Sequence, residues 1–149
     1  MNSQKYNKEE LYPEDFTEDD KLEFDMLFEQ SKMLFPKLSL ILNILVLIPV
    51  CLGVLLKANW VEESFGIETP ARGILLSIYL AILIFSAVLL FKFDPKMVMA
   101  LLSVQIVYKL LSPIMVGTIT NPVIISNIFI AVFHSYSVWK IVLSQKSAL

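Results

Sequence analysis

The chain has 149 residues, 56% of them hydrophobic and 17% charged, with a formal net charge of −2 and a mean hydropathy of +0.69. A water-soluble domain of this length cannot hide so much apolar surface, so a bilayer is the expected solvent. The acids crowd into residues 1–37, ten against five lysines, which argues against nucleic acid as a partner.

Residues 1–16 are polar and carry no basic-then-apolar leader, so they are expected to be disordered and the first span to insert as an uncleaved anchor. Residues 17–35 read as an acidic amphipathic cytoplasmic helix. Thr17 suits the N-cap, and Glu18, Asp19 and Asp20 sit where the helix dipole favours negative charge. Phe24, Leu27, Phe28, Leu34 and Phe35 share one face. That face either packs on the end of a bundle or on headgroups, or it docks a partner protein. Its acids suit anionic lipid poorly.

Four apolar stretches follow, at 38–56, 73–91, 97–117 and 123–139, each near the roughly 20 residues that a bilayer core requires. They are continuous rather than alternating, which predicts helices and not barrel strands. The expected fold is an all-α integral membrane protein: a four-transmembrane-helix antiparallel bundle behind the acidic N-terminal helix. The expected division is a tail at 1–36, a membrane domain at 37–142 and a short C-terminal tail at 143–149. Three spans open on a capping residue followed by proline: Thr69-Pro70, Asp94-Pro95 and Asn121-Pro122. In the first span, Pro49 is expected to kink the helix and free the Leu45 carbonyl. The one long connection, 57–72, carries Trp60, a residue suited to the membrane interface. Lys32, Lys37, Lys92, Lys96, Lys140 and Lys146 flank one side of the spans, against Lys57 and Arg72 on the other. The positive-inside rule then puts both termini in the cytoplasm of a multi-pass protein of the cell membrane.

Lys109 is the informative residue. A lysine well inside a span faces a bundle or a wet cavity, or else snorkels to the headgroups along its own stem. At 1.5 Å per residue it lies roughly 12 Å below the outer end of its span, with Tyr79 at roughly 13 Å, Asn127 at roughly 8 Å and Pro49 at roughly 12 Å. A deeper layer gathers Gln105, His134 and Asn43 at roughly 18–21 Å. Single polar or small seams support this layering: Gln105, Lys109 and Ser112; Asn127, Ala131, His134 and Ser137; Arg72, Tyr79 and Ser86; Ser39, Asn43, Val50 and Gly53.

No Asp or Glu lies inside a span, so the nearest carboxylates to Lys109 are Glu62, Glu63 and Glu68 on the long connection. The expectation is that this connection, with Arg72, acts as a lid and pairs a glutamate with Lys109. The candidate ligand site is Lys109, Tyr79, Asn127, Gln105 and His134, suited to a small anionic or hydrogen-bonding molecule. His134 stands alone, without the companions that a metal site needs. It reads as a hydrogen-bonded packing residue or as a proton relay with Gln105 and Tyr108. Cys51 has no second cysteine to pair with.

No phosphate loop, HExxH, CxxC or G-x-S-x-G motif occurs, so no catalytic residue is assigned, and the cofactor is unknown. The expected role is a non-enzymatic binding or accessory subunit. Its alternatives are an oligomeric transporter or channel component, and a quinone- or lipid-linked enzyme subunit. The expected partners are the lipid bilayer, a membrane protein or a second copy.

The layout of one span, a long outer connection with Phe65-Gly66-Ile67 and Pro70-Ala71-Arg72-Gly73, and three closely linked spans resembles the DoxX-like group of small four-helix membrane proteins. The resemblance covers about residues 38–142 and implies the four-helix fold. Some relatives in that group are linked to quinone-dependent oxidation or membrane redox complexes. This chain has no redox cysteine pair and no histidine pair for haem, and its acidic N-terminal helix departs from the pattern.

Overall fold

The structure, a computed structural model, describes residues 17–147, excluding the side chains of 28–30, 32, 146 and 147. The expected disorder of residues 1–16, the place of Phe28, and the side chains of Lys32 and Lys146 lie outside the described residues.

Every regular element among the described residues is an α-helix: α1 (Glu18–Leu55), α2 (Asn59–Phe65), α3 (Pro70–Phe91), α4 (Pro95–Val116) and α5 (Pro122–Ser147). Four helices are long and apolar enough to cross a membrane, over Met33–Leu55, Pro70–Phe91, Pro95–Val116 and Pro122–Gln145.

Helix α1 begins where its sequence says it should. The Thr17 hydroxyl accepts from the Asp20 amide at 3.2 Å, and the Asp20 carboxylate accepts from the Thr17 amide at 3.0 Å. This reciprocal capping box satisfies donors that the first turn would otherwise leave bare. The helix then runs for 38 residues through both Pro36 and Pro49, a length of about 57 Å at 1.5 Å per residue. The amphipathic helix and the first span are therefore one element. Each proline removes a single backbone donor, and the turns on either side keep the chain helical. Helix α1 thus crosses the expected domain edge at 36/37, as α5 crosses the one at 142/143. On the amphipathic face, Phe35 packs against Phe133 and Tyr136, whereas Leu27 and Leu34 stay exposed.

The three Xaa-Pro pairs do open α3, α4 and α5. Asp94 Oδ1 accepts from the amides of Lys96 and Met97, and Asn121 Oδ1 from that of Val123. Thr69 makes no side-chain cap bond.

Helix α1 lies against α3 and α5, and α5 against α4; α3 and α4 meet only sparsely. One apolar cluster, Leu40, Leu89, Val98, Leu102 and Ile141, fills the end that carries the α3–α4 link. A second, Leu47, Cys51, Tyr79 and Ile82, fills the end under α2. Large apolar side chains such as Ile84, Phe129 and Val132 face outward, as a lipid solvent permits.

The long connection folds into α2 and covers that second end. Val61 is buried on its inner side. Trp60 packs against Gly53 of α1, where a Cβ would collide with the indole. Gly66 ends α2 at φ 82°, a conformation open to glycine. Arg72 Nη1 donates to its carbonyl at 2.8 Å.

Candidate ligand pocket at Lys109

Lys109 is turned into the bundle and is 5% exposed. Its ammonium donates to Asn127 Oδ1 at 3.0 Å. An ammonium can only donate, so the orientation of the Asn127 amide is determined by chemistry. The other end of that amide, Nδ2, donates to Ser112 Oγ at 3.3 Å, and Ser112 donates to the Lys109 carbonyl at 2.7 Å. The three side chains form a closed ring between α4 and α5. The Tyr108 ring lies 5.0 Å from the ammonium, close enough for a cation–π attraction.

The expected glutamate pairing does not occur. Among the described residues no carboxylate lies within 4.0 Å of Lys109 Nζ. Glu68 pairs instead with Lys57 at 2.8 Å, where both side chains are largely exposed, while Glu62 and Glu63 are exposed, the latter at the rim of a cavity. Lowering a carboxylate into the bundle would strip its water, whereas pairing with Lys57 strips little. The Lys57 hydrogen bond holds the Glu68 carboxyl below its usual range, with the Coulomb attractions of Lys57 and Arg72 adding to it. Arg72 braces α2 through Gly66 and does not reach the lysine.

Lys109, Tyr79 and Asn127 do come together, on the wall of a cavity of about 220 Å³. Val46, Leu47 and Val50 of α1 and Ile130 of α5 supply its apolar side, and Trp60, Ser64 and Phe65 of α2 roof it. A second cavity of about 400 Å³ adjoins it, sharing Ser64, Phe65, Tyr79, Val123 and Asn127 and extending to Leu75 of α3 and Tyr108, Ser112 and Val116 of α4. Phe65 stands between the two, edge-on to Tyr79 at 6.2 Å. Asn121 Nδ2 ties the roof down by donating to the Ser64 carbonyl at 3.0 Å. Pro49 is exposed and takes no part in the cavity lining.

Gln105 and His134 lie elsewhere. His134 sits in a separate buried knot, with Nε2 at 3.0 Å from Asn43 Oδ1 and Nδ1 at 3.1 Å from Ser39 Oγ. Both ring nitrogens are therefore engaged. Ser39 meets Ser137 at 2.8 Å, Ser137 reaches the Phe35 carbonyl, and Asn43 Nδ2 donates to Ser86. This knot joins α1, α3 and α5. It contains neither Gln105 nor Tyr108, the partners of a relay. Gln105 is 1% exposed, and neither end of its amide has a hydrogen-bond partner.

The sequence points to a lid at 57–72 but ties it down with a glutamate, whereas Trp60 and Phe65 supply the roof; Trp60 reads in the sequence only as an interface residue, and the one pointer to its seat is Gly53 in the small-residue seam of α1. No family model matches the chain, and no curated protein or solved structure matches it.

Proposed function

We propose that this is a multi-pass protein of the cell membrane, an antiparallel four-helix bundle with both termini in the cytoplasm. Its role is that of a non-catalytic binding or accessory subunit, holding a small anionic or hydrogen-bonding molecule against Lys109, Tyr79 and Asn127. The observation that carries this reading is the inward lysine. A buried ammonium with one neutral acceptor, on the wall of an open cavity, is an unmatched charge that an anion would neutralise. The orientation draws on Lys37, Lys92, Lys96 and Lys140 at one end against Lys57 and Arg72 at the other. The DoxX-like resemblance rests on layout and on residues 70–73, and contributes the four-helix arrangement but no activity.

The test is native mass spectrometry of detergent-purified wild type and Lys109→Met, with and without added benzoate or inorganic phosphate. Wild type should hold a retained or added anion that the variant loses. Identical spectra for the two proteins would refute a site at Lys109.

A further inference from the structure

We infer that the occupant of this pocket is a monoanionic acyl lipid, a long-chain carboxylate, which reaches Lys109 from the bilayer through the seam between α3 and α4. This rests on the pocket reading above and adds its ligand class and its route.

The route follows from which walls are closed. On the aqueous side α2 is fastened at several points. Trp60 is seated on Gly53, Val61 is buried, Asn121 holds the Ser64 carbonyl and Arg72 holds that of Gly66. On the flanks, α1 packs closely with α3 and α5, and α5 with α4. Among the neighbouring long helices, α3 and α4 meet most sparsely. The larger cavity reaches this seam, between Leu75 and Tyr79 on one helix and Tyr108, Ser112 and Val116 on the other, and runs back beneath Ser64 and Phe65 to Asn127, which holds Lys109 on the wall of the smaller cavity. A molecule coming from water meets a pinned roof, whereas one coming from lipid meets a gap lined by apolar side chains.

The ligand class follows from charge and polarity. Lys109 has three ammonium protons and spends one on Asn127. The remaining two suit a carboxylate, and one negative charge brings the site to neutrality. A phosphomonoester would bring about two negative charges, a surplus beside Glu63 at the edge of the larger cavity. The Tyr108 hydroxyl is buried without a hydrogen-bond partner, on a side chain that lines the larger cavity. Beyond these groups, the walls from Val46 to Ile130 and from Leu75 to Val116 are mainly aliphatic and aromatic, as an acyl chain requires.

The experiment uses the full chain in nanodiscs and a palmitate carrying a mid-chain diazirine. Irradiation should crosslink it to α3 and α4 around Leu75 and Val116. Unlabelled palmitate should compete, and acetate at equal concentration should not. Lys109→Met should lower the crosslink at least tenfold. Leu75→Trp, which fills the seam and leaves the lysine in place, should lower it several-fold. Gel filtration checks that each variant is folded. Competition by acetate as effective as by palmitate would make the ligand a soluble anion, overturning this inference while leaving the pocket reading intact. Crosslinks confined to α1 and α5 would overturn the route. Labelling that is the same in wild type and Lys109→Met, with no lysine-dependent binding of acetate either, would overturn both the inference and the pocket.

Discussion

Asn127 holds Lys109, and Lys109 in turn decides what Asn127 can be replaced with. Truncating the amide in Asn127→Ala leaves a buried ammonium with no acceptor. That is the costly half of a broken pair, expected at about 1–3 kcal/mol. Replacing both partners, Lys109→Met with Asn127→Leu, removes the charge as well as its acceptor and should recover most of the loss. Thermal unfolding in one detergent measures both variants, and equal destabilisation of single and double variants would contradict the pairing. The His134 knot makes a parallel case. Asn43→Leu leaves the buried His134 Nε2 without its amide partner, at a similar cost of about 1–3 kcal/mol, and should broaden the imidazole NMR signal.

The sequence places Lys109 and Asn127 in one polar layer, yet directs the lysine to a glutamate. Charge complementarity in a sequence carries no term for desolvation, and that term keeps Glu68 with Lys57. The Ser39–Ser137 contact joins residues 98 positions apart, which no spacing rule connects.

Among the elements, α2 has the most to explain. Its sequence, NWVEESF, reads as part of a loop. It becomes a helix because Trp60, Val61 and Phe65 have places to go: Gly53, the bundle interior and Tyr79. Lys57 makes the turn into it in the left-handed region, at φ 52°, a position that costs a non-glycine residue about 1 kcal/mol. Gly53→Ala should displace the indole and loosen the roof. The expected outcome is faster amide exchange across residues 59–65 with α3 to α5 unchanged, and protection equal to wild type would refute the seating of Trp60.

The start of α1 supplies a pH test. The Asp20 carboxyl is held below its usual range, first by the Thr17 hydroxyl and then by the Thr17 amide. A depressed folded value means that the capping box stabilises the helix above the unfolded carboxylate range. That contribution fades as pH falls through the folded value. Residues 17–21 should therefore fray on acidification, seen as a loss of NMR helical shifts, and Thr17→Ala should fray them at neutral pH. The cap itself was legible, because capping needs only neighbours in sequence. That α1 continues through Pro36 was not, since proline is at home in the first turn of a helix and disfavoured in its interior.

At the scale of the whole molecule, four apolar helices of the right length follow directly from hydropathy. Which pairs of helices pack closely does not. The sparse contact between α3 and α4, joined by only a short link, comes from the fit of all four helices together. The layout places an inward cation near one end of the bundle, under a pinned roof, beside the looser seam between α3 and α4.

The most direct measurement of that arrangement is the reactivity of lysines toward a membrane-impermeant acylating reagent, read by peptide mass spectrometry on protein in sealed vesicles. Lys57 lies at the same end of the bundle and its side chain is 65% exposed, so it serves as the internal standard. With reagent on the α2 side, Lys57 should be modified and Lys109 spared, and Lys109 should gain reactivity when Gly53→Ala lifts the roof. Modification of Lys109 as fast as Lys57 in the wild type would mean that its ammonium reaches the headgroups, and would contradict the inward site.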